Sequence, residues 1–223
     1  MMETLKRFWK NNSLSIVVFA LFLIFLLGQS VTGVMQYNEE QEMHKQPAVS
    51  YLQYLGSGDF IEGVFENWES EFLQMGAYVL LTVYLRQKGS AESKKLEGEE
   101  DVDREPEQSR NQYSPWPVRK GGWIMKVYKN SLSIAFGLLF LMSLLLHAYG
   151  GAQMACAENQ THREECSSTV QFMGTPEFWY QSFQNWQSEF LAVFAIVVLS
   201  IFLRQHGSPE SKPVNTPHHV TGS

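Results

Sequence analysis

FENWESEFL at residues 65–73 recurs as FQNWQSEFL at residues 183–191, with all aromatic residues and most polar residues unchanged. Each copy leads into an apolar segment, residues 75–85 and 192–203. Both segments end at a Leu that is followed by Arg-Gln. A block of polar and aromatic residues therefore precedes each of two apolar segments. The rest of the chain is organised around this recurrent pair.

The recurrence extends well beyond the block. NSLSI at residues 12–16 recurs at 130–134, and the GS and ESK of residues 89–94 recur within 207–212, always at an offset of 118 residues and without a gap. About 35 of the 83 aligned positions, from Asn12 to Lys94, are identical. Similarity at one fixed offset over this length indicates tandem duplication of a single unit.

Charged residues are absent from two long stretches, although they make up 18% of the whole chain. Residues 14–35 and 131–157 contain no Asp, Glu, Lys or Arg, and each stretch exceeds the roughly 20 residues that cross a hydrocarbon core. Two further segments, 72–85 and 190–203, are shorter, and alone they would also suit buried helices of a soluble protein. Their equivalent places in the two copies favour four membrane-spanning helices.

Lys and Arg residues predict the orientation of these helices, because cytoplasmic loops carry an excess of both. Alternate threading of four helices brings the following basic residues to one side: Lys6, Arg7, Lys10, Arg86, Lys88, Lys126, Lys129, Arg204 and Lys212. The opposite segments, 34–58 and 152–176, carry only Lys45 and Arg163. Both termini are therefore predicted to be cytoplasmic. Cleavage of the first helix as a signal peptide is the alternative, but the same helix recurs at Ser131, which favours its retention.

We therefore predict an all-α membrane protein with four transmembrane helices, built as two parallel helical-hairpin repeats related by a pseudo-twofold axis along the membrane normal. Residues 1–88 form the first repeat and residues 123–206 form the second. Residues 89–122 are rich in acidic residues and contain too few apolar residues to fold. The tail at residues 207–223 also contains too few apolar residues to fold. We expect a disordered, charged cytoplasmic linker and a disordered C-terminal tail.

Both cysteines, Cys156 and Cys166, lie in the second predicted outer loop. Their separation allows a disulfide to close, and an oxidising exterior would preserve it. A bridge is favoured, because the topology places both residues outside independently of their identity; the alternative is two unrelated thiols. The first copy has Asn38 and Ala48 at these positions, so a bridge would belong to one copy alone.

Helical spacing assigns the recurrent polar residues to one face of the second helix in each copy. The residues lie at i, i+3 and i+4, and the same three residue types are present in both copies: Asn67, Ser70 and Glu71, and Asn185, Ser188 and Glu189. Glu66 and Glu69 are replaced by Gln184 and Gln187 in the second copy, which indicates a lesser role for the first pair. The retained face is expected to point into the helix bundle.

Two interpretations of this polar face stay open. If the pseudo-twofold axis brings the second and fourth helices together, Glu71 and Glu189 would face each other and would share a proton or bind a cation. Alternatively, the Asn, Ser and Glu side chains hydrogen-bond across helices and stabilise their packing. The second interpretation is favoured.

A second recurrent pair of residue types lies in the outer loops. Glu40 with His44, and Glu158 with His162, are each four residues apart, a spacing that puts both side chains on one face of a local helix. Together these four residues have the chemistry of a zinc site. Two retained residues are weak evidence in copies of this similarity, so we predict no cofactor and keep a bound metal as the less favoured alternative.

The rest of the sequence lacks common signatures of catalysis and nucleotide binding. It contains no Gly-rich phosphate loop, no Cys-x-x-Cys, no His-Glu-x-x-His and no Gly-x-Ser-x-Gly. Basic residues are scattered and the net charge is −6, which argues against nucleic acid as a partner. We identify no catalytic residue, and the sequence favours a protein that is not an enzyme.

The chain resembles a bacterial family of small integral membrane proteins that is classed as a domain of unknown function. Three runs of the first copy carry the resemblance: YNEEQ at 37–41, FENWESEFLQ at 65–74 and LRQKGSAESK at 85–94. The resemblance covers most of the chain outside the linker and tail, and the second copy departs from it at Gln184, Gln187 and the cysteine loop. It implies a location in a bacterial inner or plasma membrane, but no activity, substrate or catalytic residue.

The sequence leaves three classes of function open. The most favoured is a structural or interaction component of the membrane, with the lipid bilayer and either a second copy or another membrane protein as its partners. The second is a small transporter, channel or proton- or cation-coupled module that uses Glu71 and Glu189. The third is a metal- or redox-responsive sensor or enzyme that uses the outer Glu and His residues and the cysteines.

Cysteine labelling in intact cells tests the predicted topology. In a chain with Cys156→Ser and Cys166→Ser, a Gly98→Cys substitution should be protected from a membrane-impermeant maleimide, because Gly98 lies in the predicted cytoplasmic linker. Ala48→Cys, in the first predicted outer loop, is the control and should be labelled. Labelling of position 98 from outside the cell would contradict the predicted orientation.

Overall fold

The structure, a computed structural model, describes residues 2–107, 110–162 and 165–222, without the side chains of residues 160–162. The described residues form helices and contain no strand, as predicted for an all-α protein. The α-helices are, in chain order, α1 (Met2–Met43), α2 (Tyr51–Leu55), α3 (Gly58–Tyr84), α4 (Trp116–Lys120), α5 (Gly122–Tyr128), α6 (Ser131–His162), α7 (Thr169–Phe172) and α8 (Pro176–Phe202).

Among the described residues, three helical segments are long and apolar enough to cross a membrane: Met2–Met43, Ser131–Asn159 and Pro176–Phe202. The chain is therefore compatible with a membrane protein. Helix α3 is not one of the three, because five acidic residues occupy its first half and only its second half is apolar. The fourth span stays a prediction.

The two copies of the sequence form helices with matching bounds. Helices α3 and α8 begin and end at positions that differ by 118 residues, and the first residues of α2 and α7 differ by the same offset. A hydroxyl side chain caps the start of each of these two helices: Phe60 N donates to Ser57 Oγ at 3.3 Å, and Phe178 N donates to Thr175 Oγ1 at 3.3 Å.

The chain divides into two compact units. The first unit consists of the residues up to Gly63 together with Tyr149–Ser168, and the second consists of Val64–Ala148 together with the residues from Thr169 onward. In the first unit, hydrogen bonds hold α2 and the loop before it against α1. Asn38 Nδ2 donates to Val49 O at 3.1 Å, and Val49 N donates to Asn38 Oδ1 at 2.7 Å.

Glycines allow backbone segments of the first unit to approach closely. An added Cβ at Gly150 of α6 would lie 2.4 Å from Glu62 N, and an added Cβ at Gly58 would lie 2.6 Å from Gly150 O. Small residues commonly have this role where membrane helices pack, because they let two backbones come together. The close approach between the start of α3 and the middle of α6 therefore requires glycine at both positions.

The second unit contains residues from both segments that were expected to be disordered. Lys212 of the tail is only 1% exposed, and its Nζ donates to the carbonyl oxygens of Gly89, His218 and Val220. Gly89 N donates in turn to Thr221 Oγ1 at 2.9 Å. Burial lowers the pKa of the Lys212 ammonium, while the surrounding carbonyl oxygens favour its charged form. The tail thus contacts the start of the linker.

Substitution of Gly150 tests the close approach in the first unit. Gly150→Ala should destabilise the protein by about 1–3 kcal/mol, the usual cost of overpacking, because the added Cβ meets backbone atoms. Gly137→Ala in the same helix is the control, since nothing lies within 4 Å of its added Cβ; it should be neutral or stabilising by up to about 1 kcal/mol. Thermal unfolding in detergent measures both variants, and equal stability would contradict the close approach.

Candidate functional site

A buried carboxylate–imidazole pair lies in the second unit. Glu69 on α3 and His147 on α6 are both 0% exposed, and Glu69 Oε2 lies 2.7 Å from His147 Nδ1. Acidic side chains are almost never fully buried unless they are paired. Removal of one partner from such a pair leaves the other polar group buried without compensation, so each depends on the other.

Helix α8 supplies the remaining contacts of this pair. Trp186 Nε1 donates to Glu69 Oε1 at 3.0 Å, and Gln181 Oε1 lies 3.2 Å from His147 Nε2. The ring of Phe178 stacks on the imidazole, with ring centroids 4.7 Å apart. Every polar atom of Glu69 and His147 therefore has a partner, and three helices meet at this point. We call Glu69, His147, Gln181 and Trp186 the Glu69–His147 cluster.

Two further buried hydroxyls lie on the same helix faces as this cluster. Ser143 is one turn before His147 on α6, and Ser182 lies midway between Phe178 and Trp186 on α8. Both residues are fully buried, and neither Oγ has a hydrogen-bond partner among the described protein atoms. A buried hydroxyl without a partner costs about 1–3 kcal/mol. These hydroxyls extend the polar region beyond the paired residues.

The predicted polar face of α3 is only partly buried. Ser70 is buried and donates its hydroxyl to Asn67 O at 2.7 Å, whereas the side chains of Asn67 and Glu71 are exposed. The buried carboxylates of this helix are instead Glu62 and Glu69, which lie two turns apart on one face. The inward face of α3 is therefore rotated away from Asn67 and Glu71.

The equivalent residues on α8 contact α3 in part. Asn185 and Glu189 are half-buried, and Ser188 is exposed. Asn185 Nδ2 donates to Glu66 Oε1 at 3.2 Å. Two residues of the recurrent block, one from each copy, are thus joined directly, although Glu66 was expected to matter less than its retained neighbours.

Glu71 and Glu189 are close enough for their carboxylates to repel each other. Gln74 lies about one turn after Glu71, and its Nε2 donates to the backbone carbonyl of Glu189 at 3.2 Å. Neither carboxylate is fully buried. The structure therefore brings these two predicted residues near each other, but it buries them less than the Glu69–His147 pair.

The residues of the candidate metal site lie in the first unit. Glu40 is half-buried and accepts a hydrogen bond from Gln36 Nε2 at 3.4 Å, while His44 and Glu158 are exposed. The side chain of His162 lies outside the described residues. Within the described part of the chain, no three His, Cys, Asp or Glu side chains are grouped closely enough to hold a metal. A metal at these four residues stays the less favoured alternative.

Cys156 and Cys166 form a disulfide in the first unit, with their Cα atoms 4.6 Å apart. The bridge links the last turns of α6 to the segment that follows this helix. In the first copy, Asn38 stands at the position equivalent to Cys156 and hydrogen-bonds to the backbone of Val49. The same part of the loop is therefore bonded to the preceding helix in both copies, by hydrogen bonds in the first and by a disulfide in the second.

Tyr54 places a phenol hydroxyl in the interior of the first unit. Burial, and then the nearby Asp59 carboxylate, raise the pKa of Tyr54 above its usual range. The phenol hydroxyl can donate to the Asp59 carboxylate. The equivalent residue in the second copy is Phe172, which is buried without a hydroxyl.

Sequence reasoning missed the Glu69–His147 pair because it favoured residues that are retained in both copies. Glu69 is replaced by Gln187, and His147 stands opposite Gln29. A different signal identifies the pair: an ionisable residue within an otherwise uncharged apolar helix is itself an indication of a functional site. His147 is such a residue in the stretch from 131 to 157.

Removal of the buried carboxylate should be much more costly than removal of its exposed neighbour. Glu69→Ala leaves the His147 imidazole and the Trp186 indole without their partner, and it should destabilise the protein by about 3–5 kcal/mol. Glu71→Ala on the same helix is the matched control and should change stability by less than about 1 kcal/mol. Thermal unfolding in detergent compares the two. Similar losses for both variants would contradict the burial of Glu69.

Comparison with known proteins identifies a family of unknown function. No match was found among curated proteins or among solved structures. One family model, described as a domain of unknown function (DUF6766), matches residues 5–223. The match includes α3, α6 and α8, and with them the Glu69–His147 cluster. The chain therefore belongs to the family of the domain of unknown function DUF6766.

Proposed function

We propose that this protein is a multi-pass membrane protein with a structural or interaction role in a bacterial inner or plasma membrane. In this proposal four helices span the bilayer as two parallel two-helix repeats, and both termini are cytoplasmic. The three long apolar helices support a membrane location. So do large apolar side chains that are exposed along them, such as Leu14, Phe25, Leu138 and Phe194, because a contiguous apolar surface of this kind suits lipid and not water.

The observation that carries the proposed role is direct hydrogen bonding between the two copies of the recurrent block. Asn185 donates to Glu66 and Trp186 donates to Glu69, and Gln74, which directly follows the first block, donates to the carbonyl of Glu189. Interhelical hydrogen bonds between polar side chains are a main source of helix association in lipid, where apolar contact alone gives little preference. The recurrent block therefore suits the joining of helices α3 and α8.

Local structure at the ends of α3 and α8 supports the repeat. Gln87 N donates to Ser93 Oγ, and Gln205 N donates to Ser211 Oγ, both at 2.9 Å. The two bonds lie at the repeat offset, and they follow helices of the same length, 27 residues. The equivalence of α3 to α8, which is apolar enough to span a membrane, supports α3 as the fourth span.

A proton- or cation-coupled transporter is the second candidate, and one observation favours it. The Glu71 and Glu189 carboxylates repel each other, and a cation or a shared proton would relieve this repulsion. Their incomplete burial favours the structural role, because groups at a membrane transport site are normally enclosed within the bundle or line a cavity.

Two measurements on the full-length protein separate these candidates. In liposomes with an imposed pH gradient, the structural role predicts proton flux no greater than in protein-free liposomes. Asn185→Ala together with Gln74→Ala should lower the thermal stability by about 1–2 kcal/mol, since each interhelical bond contributes about 0.6 kcal/mol on average in a membrane.

Gln187→Ala is the matched control, because Gln187 is an exposed polar residue of the same block, and it should leave stability unchanged. Protein-dependent flux that disappears in the double variant Glu71→Gln/Glu189→Gln would overturn the structural role in favour of the transporter.

A further inference from the structure

The short contact within the Glu69–His147 pair requires a hydrogen between its two atoms. His147 Nδ1 and Glu69 Oε2 are 2.7 Å apart, and two lone pairs at that distance would repel each other. On the opposite side of the ring, Nε2 faces the side-chain amide of Gln181 at 3.2 Å. An amide presents an acceptor oxygen or, when turned by half a rotation, a donor nitrogen. Gln181 can therefore partner either state of Nε2.

These contacts allow two forms of the pair that differ by one proton. When Gln181 Oε1 faces the ring, Nε2 carries a hydrogen that it donates, and a second proton lies between Nδ1 and Oε2. The pair then has no net charge. When the amide is reversed, Gln181 donates to a bare Nε2, and the remaining proton on Nδ1 is donated to the carboxylate. The pair then has one negative charge, and the proton that left came from Nε2.

We infer that Glu69 and His147 form a binding site for a single proton, with Gln181 as a positioning residue that stabilises both the loaded and the unloaded form. All four polar atoms of the pair are hydrogen-bonded in each form, and the two forms differ by a half rotation of the Gln181 amide. A proton-binding site of this kind goes beyond the proposed structural role and does not depend on it.

The proton enters and leaves the pair at one atom. Glu69 and His147 are fully buried, whereas Gln181 is half-buried. Nε2, the atom that gains and loses the proton, is the ring nitrogen that faces Gln181. The proton is therefore exchanged at the Gln181 end of the pair, while Trp186, which is also half-buried, donates to Oε1 at the carboxylate end.

The charged and polar groups that face the pair are few. From α3, Glu66 interacts electrostatically with His147 in addition to Glu69, and Glu66 is itself bonded to Asn185. Helix α6 contributes the hydroxyl of Ser143, and α8 contributes that of Ser182. Among the described residues these two hydroxyls have no partner, and they lie on the faces of α6 and α8 that carry the cluster. Neither hydroxyl adds a second titrating group to the pair.

Nuclear magnetic resonance of the full-length wild-type protein, labelled with ¹⁵N at histidine, tests the site directly. The chain has six histidines, and the His147 signals are assigned by their loss in His147→Gln. Across the pH range in which the protein stays folded, the His147 ring should pass from a form with hydrogens on both nitrogens to the Nδ1–H tautomer as the pH rises. A ring that keeps one unchanged protonation state over that whole range would overturn the inference.

A variant of the positioning residue adds a second readout. Gln181→Leu removes the partner of Nε2 from both forms, but the loaded form loses a bond from a charged ring, whereas the unloaded form loses only a weaker bond to a neutral ring. The variant should therefore weaken proton binding at His147 by about tenfold, which corresponds to about one pH unit. Gln187→Leu, an exposed site on the same helix, is the control and should leave the His147 titration unchanged. An unchanged titration in Gln181→Leu would also overturn the inference. The wild-type titration decides the question if the variant fails to fold.

Discussion

A carboxylate that is buried away from water needs hydrogen-bond partners within the protein, and the partners of Glu69 lie on two other helices. His147 of α6 pairs with one of its oxygens, and Trp186 of α8 donates to the other. Because a buried charge that loses one partner is far less stable than a completed pair, the positions of α3, α6 and α8 in the second unit are mutually constrained. The aromatic contact between Phe178 and His147 and the bond from Asn185 to Glu66 reinforce the same arrangement.

The general class of the molecule could be predicted from sequence, because the signals for it are regular. Long uncharged stretches predict apolar helices, and a constant offset of 118 residues predicts that α3 and α8 are equivalent. The inward face of α3 could not be predicted in the same way. Asn67, Ser70 and Glu71 have helical spacing, but so do Glu62, Glu66 and Glu69, and spacing alone does not decide which set faces the neighbouring helices. That choice depends on partners such as His147, which lies 78 positions from Glu69 in the chain.

Internal similarity is informative about architecture and misleading about chemistry in this chain. Gln29 stands at the position equivalent to His147, and Gly63 at the position equivalent to Gln181. Gln29 Nε2 donates to Gly63 O at 3.4 Å, so the first copy has a neutral counterpart of the contact between His147 and Gln181. Glu69 likewise corresponds to the neutral Gln187. Ionisable chemistry is thus confined to one of two equivalent places, where a search for residues common to both copies does not find it.

The loops that follow α1 and α6 are held by bonds that differ in their sensitivity to reduction. In the first copy the side chain of Asn38 holds the backbone of Val49, and in the second copy the sulfur atoms of Cys156 and Cys166 make the corresponding link. Thiol reagents and reducing compartments break the disulfide of the second copy and leave the hydrogen bonds of the first copy intact. Assembly of the chain in an environment that lacks an oxidant would therefore complete one loop and leave its counterpart open, which gives two otherwise similar halves unequal maturation requirements.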